Sequence, residues 1–268
     1  MPSRQRTDPP IVLSVGGYDP SSGAGVTADI KTIAAHECYG VTCVTALTVQ
    51  STQGVMRLEA VDTRIITETL EELAADFTIS ATRIGMLGST QAVRAVAAFI
   101  RRHQLDHVVL DPVLRSSSGM ELITRDGAQL LREKLLPMVD VITPNIEEAT
   151  ALTGLQVTSL EEMQAAALSL HKLGARNVIV TGGHLDPPVD LLSLSGGKES
   201  RLFEGKKISG RSTHGTGCAF ATAVACNLAL GRNLSDAARD AKQYVASALK
   251  AAVPIGKGIG PVVMGFSK

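Results

Sequence analysis

Short runs of β-branched and apolar residues alternate with longer stretches of helical periodicity along almost the whole chain. The apolar runs predict strands, because strands that are buried on both faces read as nearly continuous apolar segments. The predicted strands are Ile11–Val15, Val41–Val49, Thr82–Gly85, His107–Leu110, Val139–Thr143, Asn177–Thr181, Leu191–Leu194 and Ser200–Phe203. Helical periodicity is found near residues 25–36, 64–77, 90–104, 125–136, 146–153, 159–173, 217–230 and 235–252.

This alternation predicts an α/β protein with a mostly parallel central sheet and helices on both faces. Gly196 and Gly197 separate the last two strands and predict an antiparallel hairpin at one edge. No polar linker interrupts the pattern, so we expect residues 11–268 to form one domain after a disordered tail at residues 1–10. Because ligands of such sheets gather beyond the carboxyl ends of the strands, we expect one site at that edge.

The composition argues against several classes of function. The 26 basic and 26 acidic residues balance and there is no Trp, which argues against a partner in nucleic acid or at a membrane surface. The four cysteines form no CxxC pair and the N-terminus has no apolar signal core, so we expect a cytoplasmic protein with free thiols. Residues 23–28 match a dinucleotide fingerprint formally, but they do not follow directly on a strand and no acid lies about 20 residues later.

The segment Thr213–Cys218 carries the strongest chemical signal. Its glycines allow the backbone to approach a ligand closely, and the free amides of the following helix start can bind an anion such as a phosphate. The same helix start favours a thiolate over a thiol at Cys218. An anion cradle beside an activatable proton acceptor suggests phosphoryl transfer to a small hydroxylated substrate.

A series of motifs matches one known family. They are Gly17–Gly25, Ala28–Thr32, Tyr39–Val41, Thr45–Gln50, Ile84–Leu87, Asp111–Val113, Thr143–Asn145 with Glu148 and Ala149, Gly182–His184, Thr213–Cys218 and Gly256–Val262. With these motifs the chain resembles the hydroxymethylpyrimidine and phosphomethylpyrimidine kinases of thiamine biosynthesis, within the ribokinase-like superfamily. The resemblance implies a three-layer ribokinase-like fold, ATP and Mg²⁺ as cofactors, and a homodimer. The implied activity is phosphorylation of 4-amino-5-hydroxymethyl-2-methylpyrimidine, first at its hydroxyl and then at the resulting phosphate.

The implied catalytic residues lie together at the predicted helix start. Cys218 is implied as the general base that takes the proton of the substrate hydroxyl, although it could also be a small buried apolar residue. Gly215, Thr216 and Gly217 should present backbone amides to the γ-phosphate, although glycine-rich helix starts are common.

The implied substrate pocket draws on five positions. Asp29 is implied as a pyrimidine contact, but it could be a solvated acid in the first turn of a helix. Gln50 carries a donor and an acceptor, which suits the edge of an aminopyrimidine, but it could be a polar residue at a strand exit. Gly17, Met86 and Val113 match the pocket lining of the family, and the last two could equally belong to the core.

The implied metal and nucleotide residues follow the later strands. Asp111 and Glu148 suit the handling of Mg²⁺, which needs few carboxylates, although they could be a turn-forming residue and a helix-start acid. Asn145, Thr181 and Gly183 fall where the family contacts ATP.

Two positions depart from the family pattern. Family members often carry a lysine where this chain has Ser117, and another where it has Thr181. The loss of two cations near a triphosphate would weaken charge neutralisation, for which Arg115 could compensate.

Two alternative functions stay open on the sequence. A pyridoxal kinase could share this scaffold, but those relatives tend to carry a second cysteine in the loop at residues 113–119, where this chain has none. A non-catalytic pyrimidine-binding regulator would explain the missing lysines, but the retained Cys218 and Glu148 oppose it.

Overall fold

The strands of the described chain form one central sheet. A computed structural model describes residues 8–183, 185–208, 210 and 212–262, so the first seven residues of the predicted tail, His184 and the last six residues lie outside it. The strands are β1 (Ile11–Tyr18), β2 (Tyr39–Ser51), β3 (Gly54–Ala60), β4 (Ile79–Ile84), β5 (Val108–Leu110), β6 (Val141–Ile142), β7 (Val178–Gly182), β8 (Val189–Leu194) and β9 (Glu199–Glu204).

Helices connect most of these strands. They are α1 (Gly25–Ala35), α2 (Thr63–Asp76), α3 (Thr90–His103), α4 (Arg125–Leu130), α5 (Ile146–Thr153), α6 (Leu160–Lys172), α7 (Thr216–Ala229) and α8 (Leu234–Lys250). After α4 the chain continues in a π-helical turn over Leu131–Leu135 and a 3₁₀ turn over Leu136–Met138. Among the described residues, no helix is both long enough and apolar enough to cross a membrane.

The sheet has the order β3-β2-β1-β4-β5-β6-β7-β8-β9. The six strands from β2 to β7 in this order run parallel to one another. At one edge β3 pairs antiparallel with β2, and at the other β8 and β9 form an antiparallel hairpin. The predicted mostly parallel sheet and its edge hairpin are therefore confirmed.

The strand β3 is absent from the sequence prediction. All seven of its residues are at least partly exposed, and they alternate in character instead of forming an apolar run. An edge strand that buries so little carries a weak hydrophobic signal. The strand β1 is also longer than predicted, because Gly16 and Gly17 continue it in extended conformation up to Tyr18.

Helices cover both faces of the sheet, as predicted. On one face α2, α3, α5 and α6 bury side chains such as Leu70, Phe99 and Leu170 against the strands. On the other face α7 and α8 form the cover, and α1 packs against α7. Ten consecutive residues of α7, Ala219–Leu228, are buried, and most are small, so this helix lies close against β1, β4 and β5. The start of α7 consequently stands at the carboxyl ends of these strands.

Candidate active site

The start of α7 presents backbone amides at the carboxyl edge of the sheet. Gly215, immediately before the helix, has a φ of 85°, which is the left-handed conformation that favours glycine. Among the described residues no side chain caps this helix start, and its first turn holds no acid. An ideal Cβ on Gly217 would meet no described atom within 4 Å. The amides of Thr216 and Gly217 are therefore available to an anion.

Cys218 lies in the first turn of α7 beside a buried charged cluster. Its half-buried side chain interacts with Arg83 and Asp111. Burial raises the pKa of the thiol to about 12; the Arg83 guanidinium opposes this rise, and the carboxylates of Asp111 and Asp29 add to it. The helix start does not outweigh burial and two carboxylates, so the expectation that it favours a thiolate at Cys218 is wrong.

The charged cluster consists of Arg83, Asp29 and Asp111. Nη1 of Arg83 lies 3.0 Å from Oδ2 of Asp29, and Nη2 contacts Oδ2 of Asp111. Arg83 and Asp29 are 0% exposed and Asp111 is 4% exposed. Burial by itself would lower the pKa of the guanidinium, but the neighbouring carboxylates and Cys218 raise it, so Arg83 is a permanent cation. Arg83 was missed from the sequence, although an arginine inside a predicted buried strand signals a buried partner.

Asp29 is a structural anchor that does not reach the pocket surface. Its Oδ2 accepts hydrogen bonds from Ser14 Oγ at 2.6 Å and from Arg83, and its Oδ1 accepts one from Thr222 Oγ1 at 2.7 Å. These bonds connect β1, β4 and α7 to α1. The implied pyrimidine contact of Asp29 is therefore wrong, and the alternative of a solvated helix-start acid is wrong as well, because the carboxylate is fully enclosed.

Asp111 and Glu148 repel each other. Burial raises the pKa of Glu148 well above its ordinary value, and the carboxylate of Asp111 adds to the rise. Burial also raises the pKa of Asp111, against the opposing effect of Arg83. A divalent cation would relieve this repulsion, so the pair fits Mg²⁺. No group of three His, Cys, Asp or Glu side chains in the described chain forms a complete metal site, so other oxygen ligands would have to complete the coordination.

The implied nucleotide residues lie together at the end of β7. Thr181 donates its backbone N–H to the carbonyl oxygen of Pro144 at 2.9 Å, which places it beside Asn145. Asn145 and Glu148 form a reciprocal capping box at the start of α5, with both N–H···O distances at 2.9 Å. An ideal Cβ on Gly183 would meet no described atom within 4 Å, so the turn after β7 is open.

A cavity of about 470 Å³ lies between the hairpin of β2 and β3 and the last described residues. Gln50 is the implied substrate residue that lines it. Gly17 packs directly against Met86, because an ideal Cβ on Gly17 would lie 1.9 Å from Cε of Met86. Met86 forms a small apolar cluster with Ala46 and Leu122, and Val113 packs against this cluster. The lining residues are Gln50, Ser51, Thr52, Gln53, Gly54, Val55, Ser116, Ser117, Ser118, Gly210, Thr213, His214, Gly258 and Ile259.

The C-terminal segment 256–262 closes one side of this cavity. Ile259 donates its backbone N–H to the carbonyl oxygen of Thr52 at 2.9 Å, and Gly258 donates to Oγ1 of the same threonine at 3.2 Å. The carbonyl oxygen of Gly260 accepts a hydrogen bond from the N–H of His214 at 3.1 Å. The segment thereby joins the tip of the hairpin to the chain that leads into α7.

Asp19 and His214 hold the loop between β1 and α1. Oδ1 of Asp19 accepts bonds from the N–H and Oγ of Ser21, and Oδ2 accepts from the N–H groups of Gly23 and Ala24. Nε2 of His214 lies 3.1 Å from the same Oδ2. Burial would raise the pKa of Asp19, but the bonds from His214 and Ser21 outweigh it and lower that pKa. No role was assigned to either residue from the sequence, although Asp-Pro-Ser-Ser is typical of a turn built on an aspartate.

Residues 19–263 match the sequence profile of the family described as phosphomethylpyrimidine kinase. The chain belongs to the phosphomethylpyrimidine kinase family. It is 37% identical over 248 residues to the hydroxymethylpyrimidine/phosphomethylpyrimidine kinase of Aquifex aeolicus, which covers 92% of this chain and 97% of the relative. It is 40% identical over 251 residues to a thiamine biosynthesis bifunctional protein of Geobacter sulfurreducens. That match covers 94% of this chain but 51% of the relative, so the chain spans about half of the bifunctional protein.

Solved structures confirm the predicted ribokinase-like fold for this member of the phosphomethylpyrimidine kinase family. An ADP complex of the Bacillus subtilis pyridoxal kinase matches with a TM-score of 0.88 and 32% identity, over 96% of this chain and 98% of the other. A phosphomethylpyrimidine kinase from Clostridium difficile matches with a TM-score of 0.79 and 31% identity, over 90% and 99%.

Lys242 of α8 lies close to Thr181, one of the two positions at which the resemblance implies a lysine. Lys242 Nζ lies 2.7 Å from Oδ2 of Asp190, which stands opposite Thr181 in the pair of β7 and β8. Oδ1 of Asp190 accepts the backbone N–H of Gly182 at 3.0 Å. Arg115, the substitute that the sequence suggested, instead forms an exposed pair with Glu121 at 3.4 Å. Lys242 was missed because nothing in its helix marks it apart from other surface lysines.

Proposed function

We propose that the protein transfers the terminal phosphoryl group of ATP to the hydroxymethyl oxygen of 4-amino-5-hydroxymethyl-2-methylpyrimidine, and then a second one to the resulting monophosphate. The observation that carries this proposal is the uncapped start of α7, where open amides stand beside Cys218. Such amides stabilise the charge that develops on a transferring phosphoryl group. Relatives that are named hydroxymethylpyrimidine/phosphomethylpyrimidine kinases support the choice of substrate.

The triphosphate would lie between the start of α7 and the end of β7. Asn145 and Thr181, which are joined by a β-bridge, and the open turn at Gly183 would border this space. Similar structures support the use of a nucleotide, because pyridoxal kinases were solved with ADP and with AMP-PCP. Asp111 and Glu148 would hold Mg²⁺, which would supply positive charge to the phosphate oxygens.

Cys218 would accept the proton of the substrate hydroxyl late in the reaction. The transition state of phosphoryl transfer is loose, so the attacking oxygen loses its proton only once it is bonding to phosphorus. A thiol with a pKa of about 12 is protonated at neutral pH and cannot accept this proton. Neutralisation of Asp111 by the bound cation would remove one cause of the raised pKa, and Arg83 and the Gly25 amide would then favour the thiolate against the burial that remains. The thiol would release its own proton to solvent as the complex assembles. Cys218 would therefore become a base only in the fully assembled complex.

The proposal includes a homodimer in the cytoplasm. Leu47 and Val49 alternate with Gln50 along β2, so they lie on the outer face of the hairpin, where they are 51% and 48% exposed. Burial of such apolar residues would favour association through this face. Light scattering should show a dimer, and Val49→Lys should dissociate it. The four free cysteines support a reducing compartment.

A coupled assay of ADP release with the hydroxymethylpyrimidine and pyridoxal in parallel tests the function. We expect turnover of the pyrimidine, with product masses that correspond to one and then two added phosphoryl groups. The similarity to pyridoxal kinases makes pyridoxal the second candidate substrate. Turnover of pyridoxal alone would contradict the substrate but not the kinase activity, whereas binding of the pyrimidine without ATP consumption would indicate a regulator.

A further inference from the structure

The side-chain amide of Gln50 is held at both ends by polar groups. The structure places the amide nitrogen 3.2 Å from Nε2 of His214 and the amide oxygen 3.1 Å from Oγ1 of Thr48. The nitrogen and oxygen of an amide occupy nearly the same space, so their placement follows from the protons that the partners offer. As placed, the amide N–H would face an N–H of His214, and the single Thr48 hydroxyl proton would have to serve two acceptors, so the hydrogen bonds favour the reverse orientation.

His214 carries a proton on Nε2. That nitrogen lies 3.1 Å from Oδ2 of Asp19, which also accepts bonds from the N–H groups of Gly23 and Ala24 and therefore acts as an acceptor. Nδ1 lies 3.1 Å from Oγ of Ser117, which can either donate or accept, so Nε2 keeps its proton in the neutral and in the charged ring. Two N–H groups cannot bond each other, so the amide must turn its oxygen toward His214, whose Nε2 proton is then shared between Asp19 and Gln50 as a three-centre hydrogen bond.

Thr48 imposes the same orientation independently. Its hydroxyl lies 3.0 Å from the carbonyl oxygen of Tyr18, which can only accept, so the single hydroxyl proton is committed there. The remaining lone pairs of Oγ1 need a donor, and the amide nitrogen of Gln50 is that donor. Both ends of the amide thus agree on oxygen toward His214 and nitrogen toward Thr48.

We propose that His214 and Thr48 are positioning residues that lock the Gln50 amide, and that this lock selects 4-aminopyrimidines over 4-oxopyrimidines. The inference rests on the proposed function. The locked amide has one lone pair and one N–H left, which match the amino group and the adjacent ring nitrogen of the substrate, as glutamine matches adenine. A 4-oxopyrimidine offers an acceptor and a ring N–H in the reverse order. Its recognition would require the amide to turn and lose both partners.

The test compares kcat/KM for the hydroxymethylpyrimidine and its 4-oxo analogue in the wild type and in three variants. We expect the wild type to prefer the amino compound on the order of 100-fold, because a site built for one hydrogen-bond pattern rejects its reverse. His214→Phe and Thr48→Val each release one end of the amide and should lower this preference about tenfold. Ser117→Ala leaves the Nε2 proton of His214 directed at Asp19 and should keep the wild-type ratio of the two kcat/KM values, whatever the absolute rate.

The ratio of kcat/KM for the amino and 4-oxo compounds separates a positioning role from a general loss of folding, because a loss of folding would lower both kcat/KM values together. Should one variant prove insoluble, the other tests the opposite end of the same amide. An unchanged preference in both His214→Phe and Thr48→Val would overturn the lock while the kinase assignment stands. Failure of the wild type to bind either pyrimidine in calorimetry would overturn the proposed substrate together with the lock.

Discussion

The guanidinium of Arg83 occupies the space that a side chain on Gly85 would fill. An ideal Cβ on Gly85 would lie 2.0 Å from Nη1 and 2.6 Å from Cζ of Arg83. The arginine cannot move aside, because two carboxylates hold it and it is 0% exposed. The glycine of the Ile84–Leu87 motif is thus required by the packing of a buried charge.

We therefore expect Gly85→Ala to displace the guanidinium and to lower the free energy of unfolding by about 2–5 kcal/mol, since it combines overpacking with a broken buried ion pair. Urea denaturation measures the change. Gly183→Ala is the matched control, because a Cβ there meets no described atom within 4 Å and should leave stability nearly unaltered. Equal stability of the two variants would contradict the role assigned to Arg83.

Gly217→Ala should change stability and activity in opposite directions. The residue lies inside α7 and a Cβ there meets open space, so alanine should stabilise the helix by up to about 1 kcal/mol. The same methyl group would stand where the phosphate is proposed to bind, and kcat/KM should fall at least about tenfold. Thermal unfolding and the coupled kinase assay measure the two effects. A stable variant with full activity would place the phosphate elsewhere.

The raised pKa of Cys218 predicts slow alkylation at neutral pH. The thiolate is the reacting form, so modification by iodoacetamide, followed by peptide mass spectrometry, should accelerate about tenfold per pH unit up to pH 10 without a plateau. A thiol activated by the helix start alone would reach its plateau near pH 7.

The same pKa affects stability in a defined direction. The pKa of the folded protein, about 12, exceeds the ordinary value of 9.0, so the protonated thiol contributes to the free energy of unfolding. This contribution is complete below pH 9 and is lost as the pH rises toward 12. Cys218→Ala should therefore lose less stability than the wild type between pH 8 and pH 10. If the wild type instead gained stability relative to the variant between pH 8 and pH 10, the predicted direction of the pKa shift would be contradicted.

Lys242→Met should weaken ATP binding more than it slows turnover. The substitution leaves the carboxylate of Asp190, which is 5% exposed, without its cation beside the proposed phosphate site. We expect the KM for ATP to rise about tenfold with kcat changed less than about threefold. Lys250→Met, at the end of the same helix, is the matched control. Equal KM values for the two variants would show that Lys242 does not serve the nucleotide.

The fold was largely predictable because its signal is local. The central strands β1, β4, β5, β6 and β7 are largely buried and read as apolar runs, whereas β3 lies half-exposed at an edge and gives no such run. The helices are likewise predicted by their periodicity and by N-cap residues such as Ser89 at α3 and Asn145 at α5.

The arrangement of the site was less predictable because its contacts are long-range. Asp29 looks like a helix-start acid in sequence, and only the approach of Arg83, 54 residues later, encloses it. His214 and Asp19 are 195 residues apart, so no spacing pattern could pair them. The pKa of Cys218 was mispredicted for the same reason, since its helix position is local but the carboxylates around it are not.

The bonds between Thr52 and the C-terminal segment have a consequence for synthesis on the ribosome. Because the segment 256–262 is translated after all nine described strands, the wall of the cavity near Thr52 stays incomplete while the sheet is already able to form. A nascent chain that has emerged only as far as α8 therefore has its strands but not a finished binding site. Small molecules that occupy the cavity can stabilise the protein only after residues 256–262 have left the exit tunnel.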